Sequence, residues 1–305
     1  AAAAPLVPAR AVRMTGRAPP PYVELATTSA FSFLRGASHP QELVEQAWRY
    51  GHAAAAITDR NTLAGVVRAW TRRNELDRAF KLIIGSRLVF SDRAAEVLAY
   101  AADREGYARL SRLISKGATR EGGKKGDCTI SLPDLLDDYE GMLFAMAPPA
   151  KVGEAYLSTL DRMTRAAPGR VWIAAAMGYG PADGRRLERL ADLARETDAP
   201  LLAVNDVLYH HPSRRRLQDV MGCIREHTTL QAAGVRLEAN AERHLKPAEV
   251  MAELFRHHPE AILETARYWA ELLGQTQDED GNDLPLVPIL VPHSPGALEL
   301  VTNYR

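Results

Sequence analysis

The sequence predicts an α/β fold in which a parallel sheet closes into a barrel. Between residues 22 and 212, short apolar runs alternate with amphipathic segments of helical period, a pattern typical of parallel strands joined by helical crossovers. About seven such units favour a closed barrel over an open doubly wound sheet. The composition agrees, because 46% of the 305 residues are hydrophobic and 25% are charged, as in an ordinary globular protein with a sizeable core.

The predicted strands and helices follow one another in a regular order. The first strand is YVELAT (22–27), and the helix HPQELVEQAWRYG (39–51) follows it, with Leu43 and Ala47 on one face and Gly51 at its end. The other apolar runs predict strands at 53–58, 81–85, 88–90, 96–101, 141–147, 170–177 and 199–206. The other amphipathic segments predict helices at 63–78, 105–116, 132–137, 151–165 and 181–196. The third and fourth of those strands fit either a hairpin or two successive strands.

The chain divides into four regions by composition. Residues 22–212 carry the barrel pattern, and residues 213–274 are helical in texture, which predicts a small helical appendage. Residues 1–21 are rich in Ala, Arg and Pro and are predicted to form a disordered leader. Residues 275–305 turn acidic and then Pro-rich and are predicted to form a tail. Within the barrel, the Gly- and Lys-rich segment 120–128 is predicted to be a surface loop.

Charge and short motifs argue against several classes of function. Lys plus Arg and Asp plus Glu both number 38, so the whole chain lacks the basic excess that drives nucleic-acid binding. The two cysteines, Cys128 and Cys223, are far apart, which argues against a zinc ribbon or a disulfide framework and fits a reducing cytoplasm. No apolar run reaches the ~20 residues that cross a bilayer, so no membrane partner is expected. The sequence contains no Walker-type motif, no GxSxG and no GxGxxG after a strand.

Three segments follow strands whose carboxyl ends should lie at one edge of the barrel. They are ELATTSAFSFLRGAS (24–38), ITDRNTLAGVV (57–67) and AVNDVLYHHP (203–212). In parallel α/β barrels the functional side chains project from this edge, so these segments are the candidate site. The third segment contains the loop pair His210-His211, which either contacts a ligand or faces solvent.

Several segments resemble, in order and in approximate spacing, the N-terminus of the alpha subunit of bacterial DNA polymerase III. These segments are ITDRNTLAGVV, KLIIGSRL, EGYARLSRLIS, NDVLYHHP, LQDVMGCIREHTTL and RLEANAERHLKPAEVMAELF. FSFLRGASHPQELV and LQDVMGCIREHTTL are most similar to its error-prone, ImuC-type copy, a C-family polymerase of damage-induced mutagenesis. The resemblance covers roughly residues 22–272 and implies a PHP (polymerase and histidinol phosphatase) domain, which is a distorted (βα)7 TIM-like barrel.

The resemblance also places the family's metal ligands on this sequence. Active PHP domains hold two or three metal ions with His, Asp and Glu side chains, because paired cations activate water and neutralise phosphate charge. The family's four motifs, His-x-His, Thr-Asp-His, Gly-x-Glu and Asn-Asp-x-His, fall here on Ala26 and Thr28, on Thr58-Asp59-Arg60, on Gly85-Ser86-Arg87 and on Asn205-Asp206-Val207-Leu208. Of the family's ligand positions, Asp59 and Asp206 therefore still carry a side chain that can bind a metal. Five positions are degenerate: Ala26, Thr28, Arg60, Arg87 and Leu208.

At two positions an arginine replaces the family's metal ligand. A guanidinium stays charged and only donates hydrogen bonds, so it repels a cation and cannot ligate one. We therefore expect no catalytic residue, no bound metal and no cofactor in this chain. We also predict that Arg60 or Arg87 bridges Asp59 and Asp206 in place of a metal cluster.

By the resemblance, the chain is a non-catalytic PHP scaffold of an error-prone DNA polymerase that acts in translesion synthesis and DNA repair. The family's palm carboxylates, which hold Mg²⁺ in the full-length nucleotidyltransferase, lie downstream, so this chain alone should not synthesise DNA. The implied partners are DNA, through the full-length polymerase, and mutagenesis or replication proteins such as the sliding clamp, in the cytoplasm. Two alternatives stay open: an active metal-dependent PHP phosphoesterase or 3′–5′ exonuclease, and a free-standing interaction module unrelated to polymerases.

Overall fold

A computed structural model describes residues 22–120 and 126–274 of the chain. Six strands form one sheet in chain order: β1 (Ala54–Arg60), β2 (Lys81–Leu88), β3 (Val97–Ala101), β4 (Met142–Met146), β5 (Val171–Ala175) and β6 (Leu201–Ala203). The helices within these residues are α1 (Pro40–Arg49), α2 (Val66–Leu76), α3 (Arg104–Ala118), α4 (Leu132–Leu136), α5 (Glu154–Ala166), α6 (Asp183–Thr197), α7 (Arg215–Arg225), α8 (Leu230–Ala233), α9 (Ala248–Leu254) and α10 (Pro259–Gly274). Among the helices of the described ranges, none is long and apolar enough to cross a membrane. The predicted leader and tail lie outside the described residues.

The sheet is mixed, and the prediction of a purely parallel sheet is wrong at β3. The pairs β1–β2, β4–β5 and β5–β6 are parallel, whereas β3 runs antiparallel to both of its neighbours. Residues 89–96, which join β2 to β3, are fewer than the dozen or so that a helical crossover needs. The hairpin alternative for this region is therefore confirmed, but the predicted separate strand at 88–90 is wrong, because β2 itself extends to Leu88 and pairs there with Val97 of β3.

Residues 22–28 close the sheet into a barrel. They contribute isolated bridges instead of a regular strand: Glu24 pairs with Ala55 of β1, and Thr27 pairs with Val207 beyond β6. Backbone hydrogen bonds of 2.8–2.9 Å run along both seams. The predicted first strand thus occupies the position between β1 and β6, and the barrel has the predicted distorted TIM-like form.

The strands bury both of their faces, as β3 illustrates. Leu98 and Tyr100 belong to the apolar cluster inside the barrel, and Val97, Ala99 and Ala101 belong to the cluster between the sheet and the surrounding helices. Side chains of a strand alternate between its two faces, so a strand that is covered on both sides reads as a continuous apolar run. This explains why the strands were recognisable from short apolar runs.

Helix α10 covers the amino-terminal end of the barrel. Tyr268 of α10 packs edge-on against Trp172 and Tyr100, with ring centroids 4.6 and 5.5 Å apart. The Trp172 indole also donates to the carboxylate of Glu264 at 2.8 Å. Because Trp172 lies at the start of β5, this aromatic cluster is at the opposite end from the strand carboxyl ends. The last predicted helices therefore pack on the barrel itself.

One buried carboxyl lies in the seam that closes the barrel. Glu24 is 0% exposed and accepts hydrogen bonds from the Tyr22 hydroxyl (2.7 Å), the Ala26 amide (2.9 Å) and the Asn205 amide (3.1 Å). Burial raises the pKa of Glu24 to about 7, and these hydrogen bonds oppose the rise only in part. Glu24 thus links residues 22–26 to the chain beyond β6.

A close backbone contact predicts a large effect of substitution at Gly106 in the first turn of α3. A Cβ atom at Gly106 would lie 1.8 Å from the carbonyl oxygen of Gly141, which also accepts the Ala102 amide at 2.9 Å. We expect Gly106→Ala to lower the free energy of unfolding, measured by urea denaturation, by about 1–3 kcal/mol. The control, Gly184→Ala in the first turn of α6, meets no atom within 4 Å and should be neutral or stabilising by up to about 1 kcal/mol. Equal effects of the two substitutions would contradict the contact.

The raised pKa of Glu24 predicts a pH-dependent stability. The folded state binds this proton more tightly than the unfolded state, whose carboxyl has an ordinary pKa near 4.5. Proton binding by Glu24 therefore stabilises the folded state fully below about pH 4.5. As the pH rises to about 7, this contribution is lost and the free energy of unfolding falls by up to about 3 kcal/mol. Urea denaturation across this window should show that Glu24→Gln, which cannot ionise, removes this part of the slope. An unchanged slope in the variant would rule out Glu24 as its source.

Candidate functional site

The carboxyl ends of β1 and β2 and the stretch after β6 meet at the open end of the barrel. β1 and β2 are in register, so that Arg60 lies beside Arg87. Asp206 follows β6 in a left-handed backbone conformation with φ of 48°, which Asp tolerates better than most residues. The structure therefore brings together most of the side chains that the sequence assigned to this end.

Asp206 is held between two arginines. The Arg87 guanidinium pairs with Oδ1 of Asp206, and Arg243 donates to Oδ2 at 2.6 Å and to the Asp206 carbonyl at 2.9 Å. Burial raises the pKa of Asp206, but the charges of Arg243 and Arg87 outweigh it and hold the pKa below its ordinary value. The carboxylate is therefore ionised, and each of its oxygens accepts a hydrogen bond from one guanidinium group.

Two further carboxylates extend this network. Glu96 lies 3.2 Å from Arg87 through one oxygen and 3.4 Å from Arg60 through the other. Arg243 also pairs with Glu238 at 2.8 Å. The Arg87 side chain is only 13% exposed, so it lies well inside the end of the barrel. The ion pairs connect β1, β2, the hairpin loop and the chain after α8 into one cluster, which we call the arginine network.

Asp59 lies apart from the arginine network. It is 1% exposed, and its carboxylate accepts the Ser29 amide (2.8 Å), the Ser29 hydroxyl (2.7 Å) and the Ser32 hydroxyl (2.7 Å). Burial raises the pKa of Asp59, and hydrogen bonds from Ser32 and Ser29 offset this only in part.

The prediction that one arginine bridges both carboxylates is correct for Asp206 and wrong for Asp59. Among the described residues, neither Arg60 nor Arg87 pairs with Asp59. Neighbouring side chains of β1 point to opposite faces: Arg60 shares the face of Ala56 inside the barrel, and Asp59 points outward. The strand alternation thus separates two adjacent family positions.

The donor set does not fit the metal cluster that the family resemblance implies. Divalent cations need several oxygen or nitrogen ligands that converge on one point. Here Asp206 is paired with two guanidinium groups, Asp59 points away from it, and arginine cannot ligate. Across residues 22–120 and 126–274, no three His, Cys, Asp or Glu side chains lie close enough to hold an ion.

Two cavities flank the arginine network. The larger has a volume of about 480 Å³ and the smaller about 210 Å³. Arg87, Glu96 and Asp206 line both, so the two cavities adjoin at these ion pairs. The degenerate family positions each line one cavity or both: Ala26, Thr28, Arg60, Arg87 and Leu208. The five degenerate positions thus lie at one end of the barrel with Asp206, whereas Asp59 lines neither cavity.

Other residues of the pocket were missed from sequence. They are Arg93, Glu96, Arg186, Arg225, Glu238 and Arg243. They come from the β2–β3 hairpin loop, α6, α7 and the segment before α9. No short motif marks them, because they converge only where these separate segments border the same end of the barrel.

The histidine pair contributes nothing to either cavity wall. His210 Nδ1 lies 2.7 Å from the Ser38 hydroxyl, and burial lowers the pKa of His210. His211 Nδ1 lies 2.9 Å from the Ser213 hydroxyl. Each imidazole thus lies against a nearby serine; His211 is exposed, as the solvent-facing alternative expects, whereas the His210 side chain is only 20% exposed.

The chain is similar to known proteins in sequence and in structure. The sequence profile of the PHP domain matches residues 24–178. Among solved structures, a proposed metal-dependent phosphoesterase from Bifidobacterium adolescentis is similar at 17% identity with a TM-score of 0.46, over 62% of this chain and 88% of that one.

Two curated relatives illustrate the similarity in sequence. The error-prone DNA polymerase of Rhodopseudomonas palustris (strain BisB5) is 49% identical over 254 residues, which are 82% of this chain and 23% of that protein. The error-prone DNA polymerase of Caulobacter vibrioides is 48% identical over 247 residues, or 81% of this chain and 22% of that protein. The chain thus spans less than a quarter of the length of these relatives. On the profile match, which covers half of its residues, the chain belongs to the PHP domain family.

Proposed function

We propose that this chain is the non-catalytic PHP scaffold domain of an error-prone DNA polymerase that acts in damage-induced translesion synthesis. The observation that carries the proposal is the Asp206 carboxylate paired with Arg87 and Arg243, at a position where the family places a metal ligand. Identities of 46–49% to error-prone DNA polymerases support the polymerase context.

The chemistry of the pocket supports a role without hydrolysis. Metal-assisted phosphoester cleavage needs a cation-bound water and a group that accepts its proton. Arginine cannot accept a proton near neutral pH, and Asp206 is engaged by two of them. Asp59 points away from the cavities and already accepts three hydrogen bonds. Within the described ranges, the other carboxylates that line the cavities are Glu96 and Glu238, and each of them is also paired with an arginine.

An apolar surface supports a role in packing against other domains. Leu217, Val220 and Ile224 lie on α7 at spacings of three and four residues and are 42%, 43% and 55% exposed. Residues at this spacing share one face of a helix, so they form a continuous stripe. We propose that the stripe packs against the remainder of the polymerase, which would contain the palm and its Mg²⁺.

The proposed partners follow from the polymerase context. DNA would be reached through the full-length enzyme, with mutagenesis or replication proteins such as the sliding clamp as further partners, in the cytoplasm. The chain by itself would need no cofactor. No observation on the described residues favours the alternative of an active phosphoesterase or exonuclease, and the first experiment below separates the two.

Metal removal tests the non-catalytic proposal directly. We expect the purified chain to contain less than one equivalent of Mn, Zn or Fe by elemental analysis, because guanidinium groups occupy the ligand position. Excess EDTA should leave the melting temperature unchanged, and added Mn²⁺ should produce no hydrolysis of a phosphomonoester or of a DNA 3′ end. Two or more bound ions with turnover that Asp59→Ala abolishes would support the active enzyme and overturn the proposal.

Association of two fragments tests the scaffold. We expect this chain to bind the Rhodopseudomonas palustris relative from which the matching quarter has been removed. The double substitution Leu217→Ser with Ile224→Ser should weaken the Kd roughly tenfold or more, because buried apolar anchors contribute about 1–2 kcal/mol each. Leu157→Ser, which alters a 44% exposed leucine on α5, is the matched control and should leave the Kd unchanged. If the unaltered chain does not bind, the scaffold proposal is wrong.

A further inference from the structure

The open end of the barrel carries a local surplus of positive charge in a chain with no net charge. The two cavities together are lined by seven arginines and three carboxylates: Arg35, Arg60, Arg87, Arg93, Arg186, Arg225 and Arg243, with Glu96, Asp206 and Glu238. The surplus of four positive charges contrasts with 38 basic and 38 acidic residues overall. Glu226, which lies outside the cavity walls, pairs with Arg225 at 3.0 Å and so compensates one of these four positive charges. Several guanidinium groups therefore remain for a ligand.

Three of these arginines have no carboxylate partner among residues 22–120 and 126–274. The side chains of Arg35 and Arg93 take part in no hydrogen bond or ion pair there. Arg186 donates to the carbonyl groups of Ala176 and Pro148, at 3.2 and 3.1 Å, and its buried Nε atom has no partner within the described part. These side chains contrast with Arg87, whose charge is compensated by two carboxylates.

The surroundings of Arg35 show that like charges are held close together. Burial lowers the pKa of Arg35, and the neighbouring charges of Arg60 and Arg225 lower it further. Within the described part of the chain, the Arg60 guanidinium pairs only with Glu96, at 3.4 Å, and Glu96 also pairs with Arg87. A bound anion would relieve this repulsion, since it would interact with several guanidinium groups at once.

From this geometry we infer that the barrel end is a binding site for a phosphate-bearing ligand, held by Arg35 and Arg60 in the smaller cavity and by Arg93 and Arg186 in the larger. A phosphate group carries up to two negative charges and several acceptor oxygens, and planar guanidinium groups pair with it in bidentate geometry. Arginine then takes the charge-compensating role of a metal without its hydrolytic chemistry. This inference does not depend on the polymerase role.

The cavity volumes favour a small ligand or the end of a strand over duplex DNA. Small-molecule sites commonly occupy about 300–1,000 Å³, and the cavity of about 480 Å³ falls within that range. Two kinds of ligand could supply the phosphate group: a free nucleotide, or a nucleic-acid strand with a terminal phosphate. Both present the same phosphate group, and binding to different probes distinguishes them.

Calorimetric titration of the purified chain tests the site with three probes: dATP, a short single-stranded oligonucleotide with a 5′-phosphate, and the same oligonucleotide without it. We expect saturable binding of dATP or of the phosphorylated oligonucleotide, weakened by added salt. Arg35→Gln and Arg93→Gln should each weaken it on the order of tenfold. Both variants should keep the wild-type melting temperature, because neither side chain has a partner within the described part of the chain.

Arg78→Gln is the matched control for the loss of one positive charge. Arg78 is exposed and lies just before β2, at the opposite end of the barrel. Binding of dATP alone would identify a nucleotide site, and binding that requires the 5′-phosphate would identify a strand-end site; either supports the inference. Equal binding of both oligonucleotides, an equal effect of Arg78→Gln, or no binding of any probe would overturn it.

Discussion

The arrangement of the barrel end depends on the Asp206 carboxylate. Its negative charge borders both cavities and must be compensated by positive charge. Arg87 and Arg243 supply that compensation from opposite sides, one from β2 and one from the segment after α8. Because each guanidinium also binds a second carboxylate, Glu96 or Glu238, the charges form a continuous network. Removal of any member would leave a partly buried charge unpaired, which costs more than the contact itself contributes.

The antiparallel strand β3 makes this network possible. A parallel crossover would have carried the chain from the end of β2 back to the other end of the barrel. The hairpin instead keeps residues 89–96 beside the strand carboxyl ends, so that Glu96 and Arg93 border the cavities. At the opposite end, Tyr268 of α10 packs on Trp172 and closes the core. The fold thus leaves one end available for a ligand and covers the other.

The charge distribution connects the two proposals without making either depend on the other. The proposed scaffold role involves no metal chemistry, and the pairing of Asp206 with two arginines is the observation that supports this proposal. An anion site requires guanidinium groups beyond those consumed by carboxylates, and Arg35 and Arg93 meet this condition within the described residues. Both roles use arginine, whose charge persists at all physiological pH values.

The sequence by itself determined the alternation of strands and helices, the barrel class and the location of the pocket, because periodic apolar runs and strand-end motifs are local features. The family resemblance predicted that Arg60 or Arg87 bridges Asp59 and Asp206, and of these two carboxylates Arg87 pairs, in the described part of the chain, with Asp206 alone. The tertiary structure decided the rest: the direction of β3, the outward orientation of Asp59 and the recruitment of Glu96, Arg186 and Arg243. The physical reason is that these depend on contacts between segments far apart in the chain. A one-residue step along β1 reverses the face of a side chain, and ion pairs form only where folding brings opposite charges together.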